Sequence, residues 1–137
     1  MLSLAYFSSA VGPLTPDALG QLLTAAQDNN RRLEVTGLLC HYDGSFLQFL
    51  EGPDEAVLSL YERIARDARH RDLLVVRRAP ITRRAFPDWT MALVSPREVT
   101  DAQRAFARGL RDLEIDADAE DRAALRGLLD AFRAWLR

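Results

Sequence analysis

The sequence predicts an α+β sandwich, with two helices packed on one face of an antiparallel sheet. Three observations carry that expectation. Residues 33–51 read as a β-hairpin, two apolar runs joined by Asp43-Gly44, a dipeptide that favours a tight primed turn. Helix starts precede and follow the hairpin, at Thr15-Pro16-Asp17 and at Gly52-Pro53-Asp54. Strand-like runs flank the whole at residues 2–8 and 73–81.

Residues 2–8 alternate well enough for a first strand. Thr15 supplies a capping hydroxyl, Pro16 stands where its missing N–H costs nothing, and Asp17 adds an acid to the first turn. Leu19, Leu22, Leu23 and Ala26 then recur on one helical face. This helix is expected to end near Asn29-Asn30, because asparagine tolerates the left-handed conformation of a helix C-terminus. The second helix turns Val57, Tyr61, Ile64, Ala65 and Ala68 inward. Residues 73–81 form the next strand. Residues 89–94 form another, after a turn at Phe86-Pro87-Asp88. The order β-α-β-β-α-β is that of the ferredoxin-like split-βαβ sandwich, here with an added fifth strand.

That order leaves the second sheet face bare. The stripe Leu125, Leu128, Leu129, Phe132, Trp135 and Leu136 is helical in spacing, with Asp118, Glu120 and Asp121 at its start, where the helix dipole favours acids. The expected organisation is a core of residues 1–95 and an extension of residues 96–137. The extension forms one or two helices that either cover the bare face or pair with a second subunit.

A chain of 137 residues with a formal charge of −2 suits one domain with an ordinary core and gives no electrostatic reason to expect nucleic acid. All 18 basic residues are arginines, which excludes Schiff-base chemistry on a lysine. Arg77, Arg78, Arg83 and Arg84 read as a solvated surface. Cys40 is the single cysteine and cannot form an internal disulfide; no metal-ligand spacing surrounds it or His41. No apolar run is long enough to span a membrane, and the first residues lack the basic segment of a signal peptide. A cytoplasmic protein is the expectation.

Gln48 stands out, a lone polar residue among Phe46, Leu47, Phe49 and Leu50. Left without partners there, its amide would cost on the order of 1–3 kcal/mol. A primary amide both donates and accepts, so Gln48 is a candidate for gripping a polar ligand edge. In the predicted fold the first strand and the hairpin's second strand are central neighbours. Tyr6 and Gln48 then share a face and exchange a hydrogen bond. No nucleophile–base pair is apparent and neither histidine sits in a triad context, so no enzymatic activity is expected. A phenol beside an amide suits binding a planar heterocycle and moving a proton or an electron.

Taken singly, these residues have ordinary structural readings: Tyr6 a strand tyrosine, Asn30 a helix end, Arg69 and His70 a basic last turn, Trp89 and Met91 packing. Their coincidence is another matter. Tyr6 with Ser8, Asn30 six residues before Thr36-Gly37, Tyr42-Asp43-Gly44, Phe46-Leu47-Gln48, Leu50-Glu51-Gly52, Asp67-Ala68-Arg69-His70, and finally Arg84, Phe86, Trp89 and Met91 form one ordered pattern. In that order and spacing the chain resembles the BLUF domains, sensors of blue light using FAD, over about residues 1–95.

The resemblance implies FAD held noncovalently between the two helices, with the ring edge facing the sheet and Leu22, Ala26, Ile64 and Ala65 as walls. It implies Tyr6 as electron and proton donor, Gln48 as the bridge to the N5/C4=O edge, and Asn30 as a contact on the C4=O/N3 side. Ser8, Arg31, Asp67, Arg69 and His70 complete the implied cofactor contacts, and Trp89 and Met91 relay the state of the glutamine from the last strand. Cys40-His41 depart from the apolar or aromatic residues of many relatives, and Cys40 lacks the context of photosensors that form a cysteinyl adduct. The tail resembles that of stand-alone members, which implies a separate downstream protein or a homodimer. The alternative is a non-sensory ferredoxin-like scaffold or small-ligand-binding module without flavin.

Overall fold

The computed structural model describes residues 1–12, 15–42, 44–87 and 90–94. The expectations for Asp43, Asp88, Trp89 and the extension of residues 96–137 lie outside the described residues. The elements run β1 (Leu2–Ala10), α1 (Pro16–Leu33), β2 (Thr36–Tyr42), β3 (Ser45–Gly52), α2 (Asp54–Ala65), β4 (His70–Pro80) and β5 (Ala92–Val94). They form one sheet in the order β4-β1-β3-β2-β5. The pairs β1–β3, β1–β4 and β2–β3 are antiparallel, and β5 joins β2 in parallel. This is the expected ferredoxin-like order with its fifth strand, β1 and β3 side by side near the centre. Among the described residues no helix is long and apolar enough to cross a membrane.

Helix α1 starts as its sequence dictates. The Thr15 hydroxyl accepts from the Ala18 N–H at 3.1 Å, and Pro16 and Asp17 fill the first turn. Its end differs from expectation. The helix runs on to Leu33, and the left-handed position falls on Glu34, at φ 57°. Asn30 keeps a helical backbone because its side chain has a partner elsewhere: Nδ2 donates to the Thr90 carbonyl at 2.6 Å. Helix α2 buries Val57 and Leu60 and half-buries Tyr61 and Ile64. Ala65 and Ala68, expected on the inner face, are exposed.

Strands alternate their side chains between two faces. Leu2, Leu4 and Tyr6 of β1, Leu39 of β2 and Phe46 and Leu50 of β3 join Val57, Leu60 and Met91 in one core on the helix side. The neighbouring positions Phe7, Leu38, Leu47 and Phe49 are buried on the other face. The β1–β4 register slips between Ala5 and Tyr6 and again between Phe7 and Ser9, on either side of Tyr6. Such bulges re-aim the side chains beside them. The two-residue hairpin link keeps Gly44 at φ 77°, a conformation that favours glycine.

On the second face, Glu51 and Arg84 fasten the connection between β4 and β5. Glu51 is 2% exposed, and its carboxylate accepts the backbone N–H groups of Ala85 at 2.8 Å and Phe86 at 2.7 Å. Arg84 donates to the Thr36 hydroxyl and to the carbonyls of Glu51 and Glu34 at 2.7–3.0 Å. Phe86 packs edge-on against Phe49, ring centroids 5.4 Å apart. Arg84 is therefore a structural clamp rather than a solvated cation, and Arg77 likewise reaches the Ser3 hydroxyl at 3.0 Å.

Gly37 sits where β2 crowds β3. A Cβ there would overlap the Phe49 carbonyl oxygen and lie 2.9 Å from its carbon. Backbone atoms cannot swing aside as a side chain does. Gly37→Ala is expected to lower stability by about 1–3 kcal/mol, measured as a shift in the urea midpoint. An unshifted midpoint would show that the strand pair relaxes freely.

Candidate functional site

A groove opens between the helices above the sheet. Tyr6, Leu39, Phe46 and Gln48 form its floor; Leu22, Ala25, Ala26, Asn29 and Asn30 of α1 form one wall, and Leu60 and Ile64 of α2 the other. Asp67, Arg69 and His70 close one end. The floor follows from strand pairing. Tyr6 is the register partner of Gln48 across β1–β3, and Gln48 is that of Leu39 across β2–β3.

Tyr6 donates its hydroxyl hydrogen bond to Gln48 Oε1. Gln48 Nε2 lies 3.5 Å from the Met91 sulfur. The lone amide in its apolar run thus has a phenol on one side and a thioether on the other. Burial, then the neighbouring Tyr61 and Asp67, pushes the Tyr6 pKa far above the ordinary value of a phenol. The hydroxyl is a neutral donor. Tyr61 packs edge-on against Tyr6 with ring centroids 5.5 Å apart.

At the end of the groove, Asp67 accepts from Arg69 Nε at 2.9 and 3.0 Å and from the Arg69 backbone N–H at 2.9 Å. The Arg69 side chain holds the Asp67 carboxyl below its ordinary range against the opposing effect of partial burial, and Asp67 in turn raises Arg69. The pair is a nearly neutral unit in which guanidinium donors face outward. His70 spends both nitrogens on the protein: Nε2 donates to the Ile64 carbonyl at 2.6 Å, and Nδ1 pairs with the Ser8 hydroxyl at 2.9 Å. What His70 offers the groove is its ring, set edge-on to Tyr6 and Phe46 at 6.3 and 6.4 Å. Ser8 is buried and holds His70 rather than lining the groove.

Of the candidate residues, the structure brings Tyr6, Asn30, Gln48, Ile64, Asp67, Arg69 and His70 around one cavity, with Met91 against Gln48. Arg31 stands apart. One residue past Asn30 it points off the groove wall, 69% exposed, with Asp28 at 3.8 Å. Ala65 does not reach the groove either, its place being taken by Leu60. Phe46 was legible by period two from Gln48. Leu39 follows once the hairpin register is fixed, and Asn29 by its position beside Asn30. Cys40 is buried on the opposite face from Leu39, and burial pushes its thiol up, so no thiolate faces the groove. His41 packs on Phe46 at 4.8 Å, and its Nε2 is buried without a hydrogen-bond partner.

An apolar slot with a phenol–carboxamide pair in its floor and further amides on one wall defines a binding domain for a flat ring with a heteroatom edge. The chain belongs to the family of sensors of blue light using FAD, the BLUF domains, whose model matches residues 1–92. Among curated proteins it is similar to photoactivated adenylate cyclase subunit beta of Euglena longa, at 39% identity over 92 residues, 66% of this chain and 11% of that protein. The chain therefore spans about a tenth of the length of those cyclase subunits. Among solved structures it resembles the dark-state structure of BlrB, a BLUF protein, with TM-score 0.67 and 34% identity over 97% of this chain and 95% of that one. It also resembles Klebsiella pneumoniae BlrP1 with FMN and cyclic diGMP, with TM-score 0.69 and 32% identity over 98% of this chain and 35% of that one.

The raised Tyr6 pKa makes a stability prediction. Above the ordinary value of 10.0 the unfolded chain loses this proton while the folded chain keeps it, so this contribution is full below that pH and declines as pH rises. The slope from one such group is about 1.4 kcal/mol per pH unit. Tyr6→Phe is expected to flatten that alkaline decline, read from urea midpoints between pH 9 and 11. Equal slopes in both proteins would mean that Tyr6 ionises normally.

Proposed function

We propose that this protein is a blue-light photoreceptor that holds FAD noncovalently in the groove between α1 and α2. The observation that carries the reading is the buried Tyr6 hydroxyl bonded to the Gln48 amide in the groove's floor. The groove suits the ring. Its lining combines apolar walls with a few placed polar groups, as a site for a flat ring requires. Helix α1 packs on the core only in part: Asn30 is its fully buried residue, and Leu19, Leu22, Leu23 and Ala26 pack against the core while remaining partly exposed. A planar ring beneath Leu22 and Ala26 would cover them further.

A bound flavin would supply a light-excited one-electron oxidant. Tyr6 gives the electron, and its hydroxyl proton leaves along the existing hydrogen bond to Gln48 Oε1. A neutral phenol with an aligned acceptor is the right donor, since its proton is still in place when the electron departs. Return of electron and proton restores Tyr6 and leaves the Gln48 amide rearranged. Its donor pattern toward the groove would then have changed, and an added hydrogen bond to a carbonyl edge of the bound ring would lower the excitation energy. Asn30 would hold the ring from α1, and the Asp67–Arg69 pair and His70 would bound the other end of the groove. Cys40 takes no part. The signal leaves through Met91 and the segment leading into β5, toward a downstream protein or a second copy of the chain.

Blue light is expected to produce a small, reversible red shift of the flavin band without bleaching. Tyr6→Phe and Gln48→Ala should each retain flavin and lose the shift, seen in absorption spectra before and after illumination. A normal photocycle in Tyr6→Phe would remove the assigned role, and a folded, colourless protein purified with ample flavin would favour the non-sensory scaffold.

A further inference from the structure

We propose that Gln27 is a positioning residue for this photochemistry: its amide anchors the backbone of Met91 and so keeps the thioether against Gln48. The inference rests on the photoreceptor reading. Gln27 lies on α1 outside the groove lining, and its Nε2 donates to the Met91 carbonyl at 3.0 Å. Asn30, three residues on, donates to the Thr90 carbonyl at 2.6 Å. Positions three apart share a helix face. Helix α1 thus presents two carboxamides to two successive carbonyls just ahead of β5.

Met91 is held from two sides. Its carbonyl is bound by Gln27, and its sulfur, on a side chain 2% exposed, lies 3.5 Å from Gln48 Nε2. The two contacts are unequal. A thioether is a weak acceptor, whereas an amide bonded to a backbone carbonyl is an ordinary hydrogen bond. Gln48 therefore senses Met91 more than it holds it; the hold comes from α1. Asn30 lines the groove and shares its amide between the ligand side and Thr90, so it answers to the ligand. Gln27 is a step back from the ligand and gives the segment a fixed point. When the Gln48 amide rearranges, residues 90–91 can follow only by giving up the Gln27 bond. That bond favours the arrangement seen here and drives the return to it.

The test uses the 137-residue chain loaded with FAD, with Gln27→Ala and the isosteric Gln27→Glu, which lacks the N–H donor. Methionine labelled with ¹³C at the carbonyl marks two groups, Met1 and Met91, and Met1 accepts from the Ile81 N–H at 2.9 Å. In the dark, the Met91 band should move to higher frequency in both variants while the Met1 band stays. Dark recovery after a blue flash should slow about two- to tenfold in both, the factor that one ordinary hydrogen bond commands. Glutamate behaving like glutamine would mean that packing alone matters and would overturn the proposal, as would unchanged recovery despite a shifted Met91 band. An unlabelled wild-type chain that binds FAD yet shows no light-induced shift would instead overturn the photoreceptor reading on which the proposal stands.

Discussion

The hydrogen bond from Tyr6 to Gln48 is possible only because β1 and β3 pair in one register. A slip of one residue would turn one partner to the opposite face and leave a buried amide or a buried phenol without its mate. The β1–β3 register runs without a slip from Leu2 opposite Gly52 to Ser9 opposite Ser45, and the β2–β3 hairpin sets Leu39 beside Gln48. The apolar side chains around Gln48 sharpen the constraint. Leu47 and Leu50 are fully buried and Phe46 and Phe49 nearly so, and this leaves the amide few partners other than those it has.

The sheet divides its labour between faces. On the helix side, several polar side chains bond across elements through one contact each: Tyr6 to Gln48, Asn30 to Thr90, Gln27 to Met91. Single bonds of about 1 kcal/mol can exchange partners when one of them changes. On the other side, Glu51 and Arg84 make several bonds each to backbone groups. Glu51 lies only three residues from Gln48 on the same strand, facing the opposite way. The connection between β4 and β5 is thereby fixed at Ala85 and Phe86.

How much of this was readable in the sequence depends on the range of each interaction. The hairpin and the shared face of Tyr6 and Gln48 follow from a turn dipeptide and a period of two, both local signals. The start of α1 follows from Thr15, Pro16 and Asp17 for the same reason. Its end did not, because Asn30 bonds to a carbonyl 60 residues away and so has no need to leave the helix. Arg84 looked like surface because the carbonyls that receive it, at Glu34 and Glu51, converge only when the strands assemble. Ser8 and His70 were both read as cofactor contacts; 62 residues apart, they bond to each other, and Ser8 works through His70. Arg31 is the reverse case: the family resemblance implied it as a cofactor contact, but as the next helical residue it turns some 100° away from Asn30 and is 69% exposed. The family pattern named most of the groove and the neighbourhood of Tyr6, Gln48 and Met91, but not the bonds of Ser8 to His70 or of Asn30 to Thr90.

The partly covered inner face of α1 gives the ligand a second part to play. Leu22 and Ala26 line the groove and pack on the core only in part, so a ring bound there would pack beneath them. Any ring that fills the groove adds to the core as well as occupying a site. Its binding free energy then adds to folding free energy by mass action, roughly 2.7 kcal/mol at a hundredfold excess over the dissociation constant. If flavin binds there as proposed, the docking of the first helix would track the local ligand supply, and its exposure to proteases would rise as flavin falls.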